Sequence, residues 1–267
     1  MSDLLLAAAA GFLVAVLCTP VGVSGAVLLL PAQTGVLGLA GPAVSSTNLL
    51  FNVVSTPGGL ARLSRSPLLK RTDVVAVLAA AVPAAVAGAL LRVTILADAD
   101  VFRLVVAAAL LPLAGTLFWR LAHPFTDAQQ REQPAAGRTR GWIVRLTALA
   151  GLTSVIGSAV GFGGGSLLAP ALVVATSRTP RVVAPLALLS TFATSVTGLL
   201  AYTVLEAVDF GARPAAPNWT IGLALGIGGL AGSLAGARLQ PHLPERGLTG
   251  LLAVLVTAVA IAQLLRG

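Results

Sequence analysis

The sequence predicts an all-α polytopic membrane protein made of two homologous inverted repeats, each a Gly/Pro-broken re-entrant helical hairpin plus three spanning helices. Three observations carry that expectation. Of 267 residues, 57% are hydrophobic and only 10% charged, with a mean hydropathy of +0.94. Soluble domains carry about 25% charged residues, so a water-soluble fold would lack the polar surface to cover itself. Apolar runs recur down the whole chain, and two of them are overlong and interrupted by glycines and prolines that match each other in order. An outer-membrane barrel would show alternating ten-residue strands and aromatic girdles, whereas aromatics are 4% here and nothing alternates.

The runs fall at about 4–31, 43–61, 74–97, 101–121, 142–176, 182–205, 219–240 and 247–265. A bilayer core takes about 20 helical residues, and six of these runs have that length. The start, MSDLLLAAAAGFLVAVLCTP, lacks the positive n-region of a signal peptide and reads as the first membrane segment. Runs 4–31 and 142–176 are too long for one span and break at TPVGVSG (19–25) and GSAVGFGGG (157–165). At an offset of 139, GVSGAVLLLP (22–31) lies on GFGGGSLLAP (161–170), with identities at Gly22/Gly161, Gly25/Gly164, Leu28/Leu167, Leu29/Leu168 and Pro31/Pro170. At that offset Ser55-Thr56 meets Thr194-Ser195, and further on AGALL (87–91) resembles AGARL (235–239). The ordered matches predict a duplication, with repeats at 1–122 and 142–267 joined by a polar linker at 123–141. Interrupted apolar segments at corresponding places in two halves point to a transporter's binding site. Backbone that is not helical survives at membrane depth only where protein or a water-filled cavity satisfies it.

The formal charge of +8 and pI near 11.5 could suggest nucleic acid, but the basic residues are scattered through short loops without interleaved aromatics. They read instead as positive loops on the cytoplasmic side. If each broken segment crossed once, the loops on the terminal side would hold 11 Lys/Arg against 6. If each dips in and returns as two short helices, the side holding the 62–72 and 122–141 loops carries 13 against 4. The sharper asymmetry favours the re-entrant form in a cytoplasmic (inner) membrane, with both termini outside and those two loops cytoplasmic. Cys18, the single cysteine, excludes an internal disulfide and a multi-cysteine metal site.

No acidic residue falls mid-span. Asp73, Asp98, Asp100, Glu206, Asp209 and Glu245 sit at predicted ends or in loops and read as solvated, as do His123 and His242. That weakens a metal-cation transporter or a carboxylate proton antiporter. No nucleophile, base and orienter assemble, so no enzyme, cofactor or metal is expected. What the spans do contain is neutral and polar. Asn48, Asn52 and Ser55 lie at i, i+4 and i+7, one helical face, and Thr191, Thr194, Ser195 and Gly198 make a similar stripe with Ser190 beside it. Lone residues of this kind mostly serve helix packing. Two stripes, each following a Gly-rich break, predict a cavity lining. A half-helix starting near Gly25 or Gly165 would present unpaired N–H groups and the positive end of its dipole at mid-membrane, an anion site without a cationic side chain. Gly163 and Gly164 let an oxyanion approach the backbone, Ser166 adds a hydroxyl, and Pro20, Pro31 and Pro170 mark the structural breaks.

On the paired G-x-x-G-x-x-x-x-x-P elements at 22–31 and 161–170, the polar helix after each and the AGA segments at 87–89 and 235–237, the chain resembles the TauE/SafE family of sulfite exporters. GFGGGSLLAPAL is the more specific element and GVSGAVLLLPAQ a weaker copy of it. The resemblance implies a secondary transporter of the cytoplasmic membrane that exports sulfite, sulfoacetate or another small organosulfonate. It also implies that Gly25, Pro31, Gly163, Gly164, Gly165 and Pro170 build the site and that Asn48, Asn52, Thr191, Thr194 and Ser195 line it. A passive small-anion channel using the same elements is the alternative. The expected partners are a small anion and the lipid bilayer, with a homodimer left open and nucleic acid excluded.

Overall fold

The computed structural model describes residues 2–19, 24–35, 40–63, 69–123, 139–176, 180–239 and 245–265. Among them are ten α-helices: α1 (Ser2–Cys18), α2 (Ala26–Gly35), α3 (Pro42–Leu63), α4 (Arg71–Val93), α5 (Ala99–Ala122), α6 (Arg140–Val160), α7 (Gly165–Thr176), α8 (Pro180–Ala207), α9 (Trp219–Leu239) and α10 (Glu245–Leu265). No described residue is in a strand. Five helices are long and apolar enough to cross a membrane: α4, α5, α6, α9 and the Val183–Ala207 part of α8. The 22-residue α3 has the length but not the apolarity, because the polar stripe runs along it.

The chain is turned inside out relative to a soluble protein. Leu13, Val86, Leu111, Leu200, Ile227 and Val254 are exposed, while Ser45, Asn48, Asn52, Ser154, Ser190, Thr194 and Ser195 are buried. Soluble monomers seldom expose contiguous apolar surface on this scale, and lipid is the solvent that accepts it. Helix ends are set locally. The exposed Asp98 caps α5 by accepting from the amides of Asp100 and Val101 at 2.8 and 3.1 Å, and these bonds hold its carboxyl below the usual carboxylate range. Thr139 caps α6 through the Trp142 amide. Gly161, with φ +89°, ends α6 in the left-handed conformation that glycine adopts freely.

Helix directions follow from the contacts. Along α1 and α9, Ala8 meets Gly228, Phe12 meets Gly232 and Val16 meets Gly236, so the two run parallel, backbone against backbone where the glycines lack a Cβ. Along α4 and α6, Asp73 meets Trp142, Ala80 meets Gly151 and Ala85 meets Ser158, again parallel. Helix α3 runs with α9, from Thr47 against Asn218 to Gly58 against Leu234, and α8 runs with α6. Leu49 against Gly198 and Leu188 against Gly59 make α3 and α8 antiparallel.

Because α1 and α3 point the same way, the stretch between them, with the 10-residue α2, returns the chain to the end where α1 began. The 12-residue α7 does the same between α6 and α8. At 1.5 Å per residue these short helices are about 15–18 Å long, half a bilayer core. This differs from the expected hairpin of two short helices. The arms are unequal, since α6 has 21 residues and is long and apolar enough to cross unaided, and its helix continues through 157–160. Gly157 allows this by letting the Gly163 carbonyl pack 2.5 Å from where a Cβ would stand, so the chain turns back only at 161–164.

Other readings shift as well. Pro31 and Pro170 lie inside α2 and α7 rather than at the breaks, and Pro20 lies outside the described residues, as do 64–68 of the basic loop and 124–138 of the linker. Asp73 is not solvated: it is fully buried and accepts a hydrogen bond from the Trp142 indole at 3.1 Å, because α6 covers the first turn of α4. Arg92 is 2% exposed and belongs to the interior as well.

Candidate functional site

The second break and α3 meet in the middle of the molecule. Gly161 lies against the Ser45 carbonyl and the Asn48 Cβ, its own Cβ position being 2.7 and 2.9 Å from them. Two residues on, Gly163 has φ +72°, and a Cβ there would stand 2.7 Å from Thr191 Cγ2, 3.2 Å from Ser195 Oγ and 3.3 Å from Asn52 Nδ2. Glycine is required twice over, by the left-handed backbone and by the space. The two polar stripes expected from sequence, one on α3 and one on α8, therefore converge on one backbone position. At Gly164 a Cβ would meet the hydroxyls of Ser154, Ser190 and Thr194 at 2.5, 2.6 and 2.9 Å. Gly165 is closed off by the Ala187 carbonyl and Thr191 Oγ1.

Asn52 joins the two breaks. Its Oδ1 accepts from the hydroxyl of Ser24, just before α2, at 2.7 Å, and the Ser24 oxygen accepts from the Ala26 amide at 3.3 Å. That fixes the amide so that Nδ2 faces Gly163, and there it has no hydrogen-bond partner although it is buried. Ser195 Oγ, on the other side of Gly163, is also buried and unpartnered. A buried unsatisfied polar group costs about 1–3 kcal/mol, so two donors left open on one point call for an explanation. The amide donors of α7 lie beside them. Its first intrahelical bond runs from the Leu168 amide to the Gly164 carbonyl, so the amides of Gly165, Ser166 and Leu167 precede the helical ladder at the positive end of its dipole. The chemistry on offer is neutral hydrogen-bond donation, which suits an oxyanion.

Not every expected residue joins this cluster. Asn48 is spent on structure: it donates to the Ala26 carbonyl at 3.3 Å and accepts from Gln33 Nε2 at 2.8 Å, docking α2 on α3. Gly25 makes room for Val14 and Phe51. Ser55 lies one turn further along α3, where its Cβ faces Gly229 of α9 and its carbonyl accepts from Ser233. The Ser166 hydroxyl donates back to the Phe162 carbonyl at 3.1 Å. Thr194 donates to Ser154 at 2.9 Å, and Ser154 and Ser190 lie 3.4 Å apart, a network self-satisfied beneath Gly164. His123 is exposed and stacked on Trp119. Among the described residues no group of His, Cys, Asp and Glu could hold a metal.

Sequence reasoning missed Ser24, Gln33 and Ser154. The offset of 139 that pairs the repeats sets Ser24 on Gly163, so Ser24 was findable from the alignment. Ser154 and Ser158 stand one turn apart in α6, a helical-face signal in TSVIGS. Gln33 has an unpartnered Oε1 and no sequence signal beyond being polar in an apolar helix.

No curated protein and no solved structure matches the chain. A family model described as sulfite exporter TauE/SafE matches residues 7–263, nearly the whole length. With an apolar exterior, five helices of spanning length and a polar interior gathered at two glycine breaks, the chain belongs to the TauE/SafE family of sulfite exporters and is a multi-pass membrane transporter.

Proposed function

We propose that the protein is a secondary transporter that exports a small sulfur-containing oxyanion, sulfite or a related organosulfonate such as sulfoacetate, by alternating access around Gly163. The observation that carries this reading is the pair of buried, unpartnered donors, Asn52 Nδ2 and Ser195 Oγ, both within 3.3 Å of the Cβ position that Gly163 leaves empty. An oxyanion bound there takes both donors and the open amides of α7, and releases the cost of leaving them unmet.

The repeats run 1–122 and 142–267, joined by the linker 123–141. The reading is supported by the major packing contacts, which map onto one another when the first five helices are exchanged with the last five, although α6 packs on α8 where α1 makes no comparable contact with α3. Contact α1–α9 becomes α6–α4, α3–α9 becomes α8–α4, and α3–α8 and α5–α10 map onto themselves. Five passes per repeat, counting the half-helices, make the second repeat inverted. The loops 62–72 and 122–141 face the cytoplasm and the termini face out, in the inner membrane. Export of an anion from a negative-inside cell is then helped by about 2.3 kcal/mol per charge per 100 mV.

The test is sulfite flux from proteoliposomes of the purified protein. Saturable efflux accelerated by sulfite on the far side is expected. Flux that never saturates and shows no trans-stimulation makes the protein a channel. No flux of sulfite, sulfoacetate or methanesulfonate overturns the anion reading.

A further inference from the structure

One ionisable group is buried and has no part in the site described above. Arg92, in the last turn of α4, is 2% exposed, and no carboxylate among the described residues pairs with it. Its contacts are neutral: Nε donates to Ser45 Oγ at 3.3 Å, Nη1 donates to the Leu96 carbonyl, and the guanidinium lies 3.8 Å from the centre of the Phe102 ring. The side chains that act on it electrostatically are the buried Tyr202 phenol and, after it, Arg213, another cation. A hydroxyl, a carbonyl and a ring face solvate a guanidinium only in part, and removing a full charge from water without a counter-charge is expensive. Ionisable residues kept in membrane interiors mark ion and substrate pathways.

The position of Arg92 says what the counter-charge is. Ser45, its partner, stands at i, i+3 and i+7 with Asn48 and Asn52, so all three share one face of α3. Seven residues at 1.5 Å each set Arg92 about 10 Å along α3 from the donors at Gly163. The second break lies between, with Gly161 resting on the Ser45 carbonyl. Arg92 is at the end of α4 remote from the 62–72 loop, so in an exporter it stands between the central site and the exit.

We infer that Arg92 is a second station for the anion, its guanidinium supplying the full positive charge that the central site lacks. The inference rests on the anion-export reading. In the central site the guest meets neutral donors only. At Arg92 it meets a fork of N–H groups and a formal charge, and a dianion gains more there than a monoanion.

The experiment measures thermal stabilisation of the purified protein by sulfite and by methanesulfonate, a strict monoanion, together with the KM for sulfite efflux. In the wild type both anions stabilise the fold. Arg92→Gln is expected to raise the half-saturating sulfite concentration and the KM about tenfold, and to weaken methanesulfonate clearly less. Arg92→Lys, which keeps the charge, is expected to stay within about threefold of wild type and carries the test if the glutamine variant does not fold. Equal weakening of both anions by Arg92→Gln, or unchanged anion affinity with a lowered melting temperature, makes Arg92 a structural staple of the α4–α5 corner and overturns the inference. So does loss of sulfite affinity in Arg92→Lys equal to that in Arg92→Gln. If neither anion stabilises the wild type, the export reading itself fails, and this inference fails with it.

Discussion

The donors around Gly163 make stability and function respond in opposite directions. Ser195 Oγ has no partner in the folded protein, so Ser195→Ala removes an unsatisfied buried group. The variant is expected to be as stable as wild type or more stable, by up to about 1–3 kcal/mol, with a melting temperature no lower, while its half-saturating sulfite concentration rises. A hydroxyl that served packing alone would give a variant with unaltered sulfite binding. Asn52 is a stricter case, because its Oδ1 is held by Ser24 and only its nitrogen is open. Asn52→Asp keeps the shape and replaces the donor by an acceptor with negative charge, so sulfite-induced stabilisation should vanish. Survival of that stabilisation would move the site elsewhere. Gly163→Ala adds a Cβ in left-handed backbone, which costs about 1–2 kcal/mol, and drives it against Thr191 Cγ2 between the two open donors. It should lower the melting temperature and abolish flux together, whereas Ser195→Ala should separate the two.

At the scale of helices, glycine does two jobs that composition does not distinguish. Gly232 of α9 faces the Phe12 carbonyl of α1 at backbone contact, so Gly232→Ala must push the helices apart. A cost of about 1–3 kcal/mol is expected, read as a lower detergent melting temperature. Gly115, inside α5, has nothing within 4 Å of its Cβ position, so Gly115→Ala should be neutral or stabilising by up to about 1 kcal/mol. Reversal of that order would mean that α1 and α9 are not packed as described. The same ambiguity decides what could be read from sequence. The two interruptions were legible because glycine runs stand out in apolar sequence, and the polar stripes because 3.6-residue periodicity survives any tertiary setting. Arm lengths were not legible: GSAV at 157–160 stays helical because Gly157 is used for contact with Gly163, a role set by the turn that follows. Asp73 and Arg92 look like solvated ends in sequence. They are buried by partners far away in the chain, Trp142 and Ser45, which no local pattern announces. Ser55 shares a face with Asn52, yet one turn on the neighbour of α3 is α9 and not the break.

For the whole molecule, direction of travel is what the export reading must get right, and it rests on helix directions that chemistry can check. Helices α1, α3 and α9 run one way and α4, α6 and α8 the other. The end of α8 and the start of α6 therefore lie at opposite ends of the bundle. Val208, just past α8, and Arg140, at the start of α6, are both exposed. Cys18 is 1% exposed, so Cys18→Ala gives a cysteine-free background at the cost of a small cavity. In that background a membrane-impermeant maleimide should label Val208→Cys in intact cells, and Arg140→Cys only after the membrane is opened. The basic loops explain why: loops rich in Lys and Arg stay on the cytoplasmic side, and Arg140 lies at the end of the 122–141 stretch. Labelling of both positions from outside would break the parallel run of α6 and α8. Labelling in the reverse order would keep the fold and invert the protein. Arg92 would then stand at the cytoplasmic mouth, where a cation gathers anions at the entrance instead of easing their departure.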